Sequence, residues 1–254
     1  MKTFILLIIL LTLSVLTYSI EPNNKHWNPF NTASESNNKT FAGYNKSGNA
    51  HIFSLEYGKI ISTFDYTNSD GEELENLENQ TNNHLRLGWR MHFKTSNLYL
   101  LAGIAYNKYG SKGSDPSLGN YYDWEVNYLG LNLGAGYEFF KFESYFNFPY
   151  VEGGQGITSF IQASIASEFL VQGTQTINNN IYNLVGVEQF DKPFIFAYAG
   201  VGLAYYVSKT FSVKGLYSFG KSFTVFKSDS NDQEVLNFMT HTFSLGLSIS
   251  LPLM

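Results

Sequence analysis

Residues 240–254 read THTFSLGLSISLPLM, and this stretch decides the fold. An apolar side chain stands at every second position from Phe243 to Leu253. The positions between them, from Thr242 to Pro252, carry small or hydroxylated residues and a final proline. Such alternation is typical of a β-strand, because successive side chains point to opposite faces of a sheet. The strand therefore has one apolar face and one face of small, polar side chains.

The composition is unusual for a water-soluble protein. Charged residues make up 15% of the 254 residues, against about 25% in soluble domains. Aromatic residues make up 17%, there are 22 glycines, and there is no cysteine to form a disulfide or carry a lipid. A formal net charge of −5 argues against a nucleic-acid partner. This composition favours strands placed between lipid and a polar interior.

The N-terminal segment predicts export. One lysine precedes an apolar run from Phe4 to about Leu16, and small or polar residues follow it. This pattern is typical of a signal peptide, here residues 1–19 with cleavage near Ser19. The alternative is an N-terminal anchor helix, but the run is short for a membrane span. We expect a polar lead at 20–49 and a barrel at 50–254.

Period-two alternation recurs along the rest of the chain and predicts eight strands. The clearest is HLRLGWRMHFK at 84–94, where odd-numbered residues are apolar and even-numbered residues are polar or glycine. Short and long polar connections mostly alternate between these strands, as in outer-membrane barrels with short periplasmic turns and long external loops. The fold class predicted is an all-β, eight-stranded antiparallel transmembrane up-and-down barrel with periplasmic termini. Closure removes the unpaired edges that lipid cannot satisfy.

Two local features remain open at this level. The apolar phase of the first strand moves from Phe53, Leu55 and Tyr57 to Ile60 and Phe64, and a bulge near Gly58 would explain the shift. Residues 142–156 fit either an elaborated turn or a short extra hairpin.

Aromatic residues near strand ends are expected to form interfacial girdles: Tyr66, Trp89, Phe93, Tyr109, Tyr121, Trp124, Phe139, Phe140, Tyr205 and Tyr206.

Several charged residues fall on the faces predicted to point into the barrel. An unpaired buried charge is costly, so these side chains are expected to pair across the interior as a structural network. An ion path is the functional alternative. Glu56 joins the set if the first strand has the phase described above. The predicted lumen network comprises His84, Arg86, Arg90, His92, Glu138, Glu168 and Lys214.

No motif predicts catalysis, a cofactor or a metal. A lipid hydrolase would need a Ser–His–acid set near the rim, and no spacing marks His84 or His241 as part of one. The acidic stretch with Asp70, Glu72 and Glu73 lacks the spacing of an EF-hand. We expect it to be a solvated loop, with weak divalent-ion contact to lipopolysaccharide as an alternative.

Three stretches resemble a known family: NYYDWEVNYLGLNLGAGYEFFK, SEFLVQGTQTINNNIYNLVGVEQFDKP and the terminal strand. They are similar to the outer membrane β-barrel proteins of Bacteroidota, within the broad group of OmpA- and OmpX-like eight-stranded barrels. The resemblance covers roughly residues 50–254. It implies the fold and an outer-membrane location, and it implies no activity, since that family shares no catalytic motif.

The function predicted is a non-enzymatic integral outer-membrane barrel with a plugged lumen, structural or interacting through its external loops. Its expected partners are outer-membrane lipid, lipopolysaccharide and a protein bound by the external loops. One alternative is an accessory subunit of a secretion or uptake complex, suggested by the apolar residues of 181–190. A lipid-modifying hydrolase is another. A soluble lipocalin-like barrel would need the opposite orientation, with apolar residues inside.

Overall fold

The computed structural model describes residues 50–67, 73, 77–93, 96–115, 119–143, 156–208, 210–223 and 235–252. The predicted signal peptide, the polar lead and most of the acidic stretch lie outside the described residues. So do residues 144–155, and with them most of the ambiguous segment at 142–156. Those expectations therefore stay predictions.

The described residues form β-strands and one helical turn. The turn, α1, spans Glu188–Asp191. None of the described helical residues forms a helix long and apolar enough to cross a membrane. The strands are β1 (Ala50–Thr67), β2 (Glu78–His92), β3 (Leu98–Asp115), β4 (Asn120–Glu143), β5 (Gly156–Ile177), β6 (Asn180–Asn183), β7 (Phe194–Tyr206), β8 (Phe211–Phe223) and β9 (Val235–Pro252).

The strands close into a ring. Each of β1 to β5 pairs with the next, β5 pairs with β7, and β7, β8 and β9 follow. β9 then pairs with β1 along its whole length, from Ala50↔Pro252 to Thr67↔Val235. All these pairings are antiparallel. The predicted eight-stranded up-and-down barrel is confirmed, whereas the orientation of its termini stays a prediction.

Short strand β6 was not predicted. It pairs with β5 at Thr174–Ile177, above the point where β7 begins. A two-residue turn, Asn178 and Asn179, joins it to β5, and both residues have positive φ. Asparagine tolerates this left-handed conformation better than most residues. β6 thus extends the wall beyond the ring at one end.

The two ends of the barrel differ. We call the end with the β2–β3 and β7–β8 connections and residues Ala50 and Pro252 the turn end. We call the opposite end, which carries β6 and α1, the loop end. At the loop end, β3 and β4 pair as far as Asp115↔Asn120, and β4 pairs with β5 as far as Tyr122↔Ile177. This part of the wall therefore projects well beyond β7 and β8.

The wall has the orientation that the terminal stretch predicts. On β9, Leu245 and Leu247 are 72% and 44% exposed, whereas Ser244, Gly246 and Ser248 are buried. The same division holds on β4, where Leu133 is 70% exposed and Asn132 is buried. At these positions apolar side chains thus cover the outside, and small or polar side chains face the inside.

The predicted bulge near Gly58 is wrong. β1 pairs without interruption through Gly58 with both β2 and β9. Ile60 and Phe64 instead point inward and are buried. The apolar shift seen in the sequence therefore reflects a change in what fills the barrel, from polar groups to apolar ones, and not a change in strand phase.

Candidate functional site in the barrel interior and on its outer face

A buried ion pair lies in the turn-end half of the interior. Lys214 Nζ lies 2.6 Å from Glu56 Oε1 and also donates to Ser54 Oγ at 3.1 Å. Ser54 Oγ in turn donates to Glu56 Oε1 at 3.3 Å. The pair joins β1 to β8 across intervening β9, where Gly246 leaves room: a Cβ there would lie 2.8 Å from Glu56 Cγ and 3.0 Å from Lys214 Cε.

Two buried arginines lie beside this pair. Arg86 is the cross-strand partner of Glu56, and Arg90 lies two inward positions further toward the turn end, beyond Gly88. The guanidinium carbon of Arg90 lies 5.4 Å from the Tyr99 ring centre and 5.8 Å from that of Phe160, within cation–π range. Nε of each arginine and Glu56 Oε2 have no hydrogen-bond partner among the described residues.

A second acid lies near the turn end. His92 Nε2 and Glu138 Oε1 are 3.0 Å apart, and the Tyr206 hydroxyl donates to the same oxygen at 3.3 Å. The ring of His92 packs against that of Tyr99, with centres 5.2 Å apart. These contacts connect β2, β3, β4 and β7 across the barrel.

Glu168 is the centre of a different arrangement, near the middle of the barrel. Its Oε1 accepts hydrogen bonds from Asn107 Nδ2 at 2.8 Å and from Tyr198 OH at 2.7 Å. Its Oε2 accepts one from Tyr109 OH at 2.7 Å. His84 Nδ1 lies 2.6 Å from Asn107 Oδ1. This carboxylate is therefore surrounded by neutral donors, in contrast to Glu56.

A small cavity lies between Arg86, beside the Glu56–Lys214 pair, and the group around Glu168. Its volume is about 20 Å³, and its lining includes Arg86, Asn132, Glu168 and Tyr198. That volume accommodates about one water molecule. The lining offers several polar partners for it, so we expect the cavity to be hydrated.

The loop-end half of the interior is apolar. Phe238 lies at its centre, with ring-centre distances of 4.6 Å to Phe64 and 4.8 Å to Phe194. From the connection between β5 and β7, Leu184 and Phe190 are buried against the cluster, and Phe190 O accepts a hydrogen bond from Tyr128 OH at 2.8 Å. We call this set the aromatic cluster: Ile60, Phe64, Tyr109, Trp124, Val126, Tyr128, Ala166, Leu184, Phe190, Phe194, Phe196, Leu236 and Phe238.

The aromatic cluster was not predicted from the sequence. Tyr109 and Trp124 were expected in an interfacial girdle, but both are buried inside the barrel. Tyr66 and Tyr206 also point inward, against the aromatic cluster and Glu138, so the girdle assignment is wrong for these four residues. The positions of Tyr109 and Trp124 could have indicated this. Tyr109 lies two residues after Asn107 on β3, and Trp124 lies two residues before Val126 on β4, so each shares a face with a residue that points inward. Aromatic character alone cannot separate a girdle from a packed interior.

All seven predicted network residues are inward and buried: His84, Arg86, Arg90, His92, Glu138, Glu168 and Lys214. Among the described residues, the structure arranges them around three carboxylates. Glu56 joins Lys214, His92 joins Glu138, and Glu168 accepts neutral donors. Among the described residues, no group of His, Asp or Glu side chains is placed to hold a metal ion.

The two histidines considered for catalysis face opposite sides of the wall. His84 points into the interior and contacts Asn107, whereas His241 points outward, where its Nδ1 lies 2.8 Å from Tyr217 OH. A β-strand separates its two faces, so these side chains cannot act on one substrate. A hydrolase site could therefore not use both histidines together.

Toward the loop end, the apolar outer surface is followed by polar side chains. On β3 and β4 the lysines are matched by acids: Lys108 Nζ lies 2.7 Å from Glu125 Oε2, and Lys112 Nζ lies 3.2 Å from Asp123 Oδ2. The hydrogen bond with Asp123 also raises the pKa of Lys112. On β1 the equivalent lysine, Lys59, donates to neutral Asn83 at 2.8 Å.

These features define the protein as a closed antiparallel β-barrel with an apolar outer wall, a polar layer inside and an aromatic cluster at one end. No protein-family model and no curated protein matches the sequence, so membership of the family that the sequence resembles stays a prediction. Solved structures do match, and outer-membrane proteins are among them, including the following three.

The first is outer membrane protein AlkL in lipid bilayers, at 15% identity and a TM-score of 0.44, covering 87% of this chain and 98% of that one. The second is OprG from Pseudomonas aeruginosa, at 11% and 0.43, covering 82% and 99%. The third is Neisserial surface protein A, at 11% and 0.41, covering 78% and 96%. Identities this low carry no information about activity.

Proposed function

We propose that this protein is an integral barrel of the bacterial outer membrane, with a closed lumen, and that it acts without catalysis through its loop-end surface. The observation that carries the proposal is the apolar outer wall. On β4, the outward side chains from Leu129 to Phe139 are apolar. The next outward residues toward the loop end, Asn127 and Glu125, are polar. The apolar positions span ~33 Å along a strand, or ~25 Å of height at the usual tilt, which matches the lipid-facing band of such barrels.

The closed lumen is supported by what fills each half of the interior. At the loop end, the ring centres of Phe238 and its neighbours lie 4.6–6.1 Å apart. At the turn end, Glu56, Lys214 and both arginines occupy the cross-section and are buried. An eight-stranded barrel has an interior just wide enough for side chains. Together these groups support a lumen without a continuous path for an ion.

Membrane insertion is tested by fractionation. The full chain is expressed in a Gram-negative host, and its membranes are separated on a sucrose gradient and washed with urea at high pH. We expect the protein to sediment with outer-membrane markers, to resist the wash, and to run faster on gels when unheated. Recovery in the aqueous wash would contradict the proposal.

Closure is tested by conductance. Purified protein is reconstituted in planar lipid bilayers, and current is recorded at both polarities. We expect no discrete conductance steps. A matched variant, Phe238→Ala with Phe194→Ala, removes two rings from the centre of the aromatic cluster, so any leak should appear there first. Steps of wild-type protein that match those of the variant would disprove a closed lumen.

A second candidate, an accessory role beside another protein, is favoured by an exposed patch at the loop end. Ile181 is 73% exposed, and Tyr182 and Val185 are each 50% exposed. They lie on β6 and just after it, beside the part of β5 that pairs with Trp124 and Asp123, beyond the outward polar residues Asn127 and Lys108. Lipid hydrocarbon therefore cannot cover them, and apolar patches in water commonly bind partners.

This accessory role is tested by in-cell crosslinking from position 181. A photo-crosslinking residue at Ile181 is compared with one at Leu133, which faces outward within the apolar band. We expect a discrete protein adduct from position 181 alone. Equal adducts from both positions, or from neither, would argue against a partner at this patch.

A further inference from the structure

Two lysines and a histidine follow one diagonal on the outer face of β1, β9 and β8. Lys59 is opposite Phe243, His241 is opposite Ile61 and Phe219, and Lys221 is opposite Met239. Each step of the diagonal therefore crosses one strand and two residues. With ordinary strand spacing and rise, neighbouring Cα atoms lie ~8 Å apart. Lys59 and Lys221 are exposed, and His241 is half-buried between them.

Along this diagonal, polar side chains first interrupt the apolar outer surface, which continues beyond it at Met239 and Phe223. Toward the turn end, the outward residues of β9 are Phe243, Leu245 and Leu247, and those of β8 are Phe219 and Tyr217. His241 and Lys221 are the first outward polar groups beyond them. In a bilayer such positions lie at the level of the lipid head groups.

The cations on this side have no described acidic partner at ion-pair distance. Lys59 Nζ donates to Asn83 Oδ1, a neutral acceptor that Tyr57 OH also uses. Lys221 makes no ion pair with the described residues. The lysines on β3 and β4 differ, because Glu125 and Asp123 neutralise them. Among the described residues, Lys59 and Lys221 therefore have no acid at ion-pair distance, whereas Lys108 and Lys112 each have one; the exposed acid on β1, Asp65, lies further toward the loop end.

Aromatic rings hold His241, the central residue of the diagonal, in place. Tyr217 OH lies 2.8 Å from His241 Nδ1, and the ring centre of Phe219 lies 5.3 Å from that of His241. Tyr217 also packs on Phe243, with centres 4.9 Å apart. The bond to Nδ1 leaves Nε2 as the ring nitrogen available to a ligand, and the rings offer an apolar shelf next to it.

We propose that Lys59, His241 and Lys221 form a binding site for the phosphate groups of a phosphorylated glycolipid, with its acyl chains lying along the apolar wall beneath. The inference rests on the proposed membrane location. The ~16 Å between the Cα atoms of Lys59 and Lys221, two steps of the diagonal, suits a head group that carries more than one phosphate. The loop end would face the leaflet that contains such glycolipids.

Native mass spectrometry of the full chain, purified in mild detergent, tests the site. The probes are bis-phosphorylated lipid A, enzymatically dephosphorylated lipid A and phosphatidylglycerol. We expect preferential retention of the bis-phosphorylated form. Lys59→Gln with Lys221→Gln and His241→Gln should weaken it by roughly 10- to 30-fold, since each basic residue near an anionic surface adds a comparable increment. Lys108→Gln, whose lysine is already paired, is the matched control.

Each outcome of this experiment either supports or overturns the phosphate site. Equal retention of phosphorylated and dephosphorylated lipid A, an unaffected triple variant, or an equal loss in Lys108→Gln would overturn the site. Preferential retention of phosphatidylglycerol would overturn the glycolipid assignment. The unheated gel shift shows that each variant is folded. A chain that fails the urea wash refutes membrane insertion itself, whereas an inserted chain without phosphate preference refutes only this site.

Discussion

Lys214 Nζ and Glu56 Oε1 are 2.6 Å apart in the barrel interior, although 158 positions separate the two residues in the sequence. Arg86 and Arg90 also act electrostatically on the same carboxylate. One anion is thus shared by three cations. The second oxygen of Glu56 has no described partner, so the arginines or a water molecule can approach it.

Glu56→Gln is expected to be more destabilising than Lys214→Met. Loss of the carboxylate leaves Lys214 and Arg86 without their compensating charge and leaves Arg90 with Glu138 as its acid, which should lower the free energy of unfolding by about 3–5 kcal/mol. Loss of the lysine leaves Glu56 with two cations, and should cost about 1–3 kcal/mol. Urea titration in lipid vesicles, followed by tryptophan fluorescence, measures both.

The control for this comparison is Lys221→Met, which removes an exposed lysine from the same strand as Lys214. Its effect should stay below about 1 kcal/mol. If Lys214→Met proved as harmful as Glu56→Gln, the arginines would not be sharing the carboxylate, and the charged layer would reduce to an isolated pair.

Phe238→Ala is expected to leave a cavity in the centre of the aromatic cluster. Phe238 contacts Phe64, Phe194 and three further rings, so the free energy of unfolding should fall by about 3–5 kcal/mol. Phe243→Ala on the same strand is the control. Its side chain is 54% exposed on the outer wall. Its removal takes away apolar contact but leaves no internal cavity, so it should lower the free energy of unfolding by about 2 kcal/mol less than Phe238→Ala does. Equal losses would show that the cluster is loosely packed.

Gly136→Ala tests how tightly the turn-end interior is filled. A Cβ at Gly136 would meet the Tyr99 ring, with Cζ at 2.2 Å. Tyr99 cannot move easily, because it is buried against His92 and Arg90. We expect a loss of about 1–3 kcal/mol by the same urea titration. At Gly215 a Cβ would meet only Leu245 Cδ2, at 3.8 Å, so Gly215→Ala should change stability by less than about 0.5 kcal/mol.

The architecture could be predicted because lipid and a narrow interior impose period-two alternation on every strand. On β9 the apolar odd positions and small even positions state the orientation directly, and the structure agrees at Leu245 and Ser244. The inward placement of the seven charged residues follows from the same parity. Their partners could not be predicted, because parity gives the face of a residue and not its height. Glu56 and Lys214 meet only through the register of β1 and β8 against β9.

The aromatic cluster escaped prediction for a related reason. Alternation predicts an inside and an outside only when the two differ in polarity. Along the loop-end half of β1 both faces carry apolar residues, Ile60 and Phe64 inside and Ile61 outside, so the pattern resembles a phase shift. β6 was missed because Asn180–Asn183 is too short to show a period, and its existence depends on the positive φ of Asn178 and Asn179.

Leu133→Arg is expected to test the outer wall at its centre. Leu133 is 70% exposed in the middle of β4; if that surface meets hydrocarbon, an arginine there should lower the free energy of unfolding in vesicles by about 2–4 kcal/mol. Asn127→Arg, outward on the same strand but beyond the apolar band, should cost at most about 1 kcal/mol. The two substitutions add the same charge to the same face, so depth alone separates them. In water an exposed arginine is tolerated at either position, and equal, small effects would therefore mean that the wall does not contact lipid.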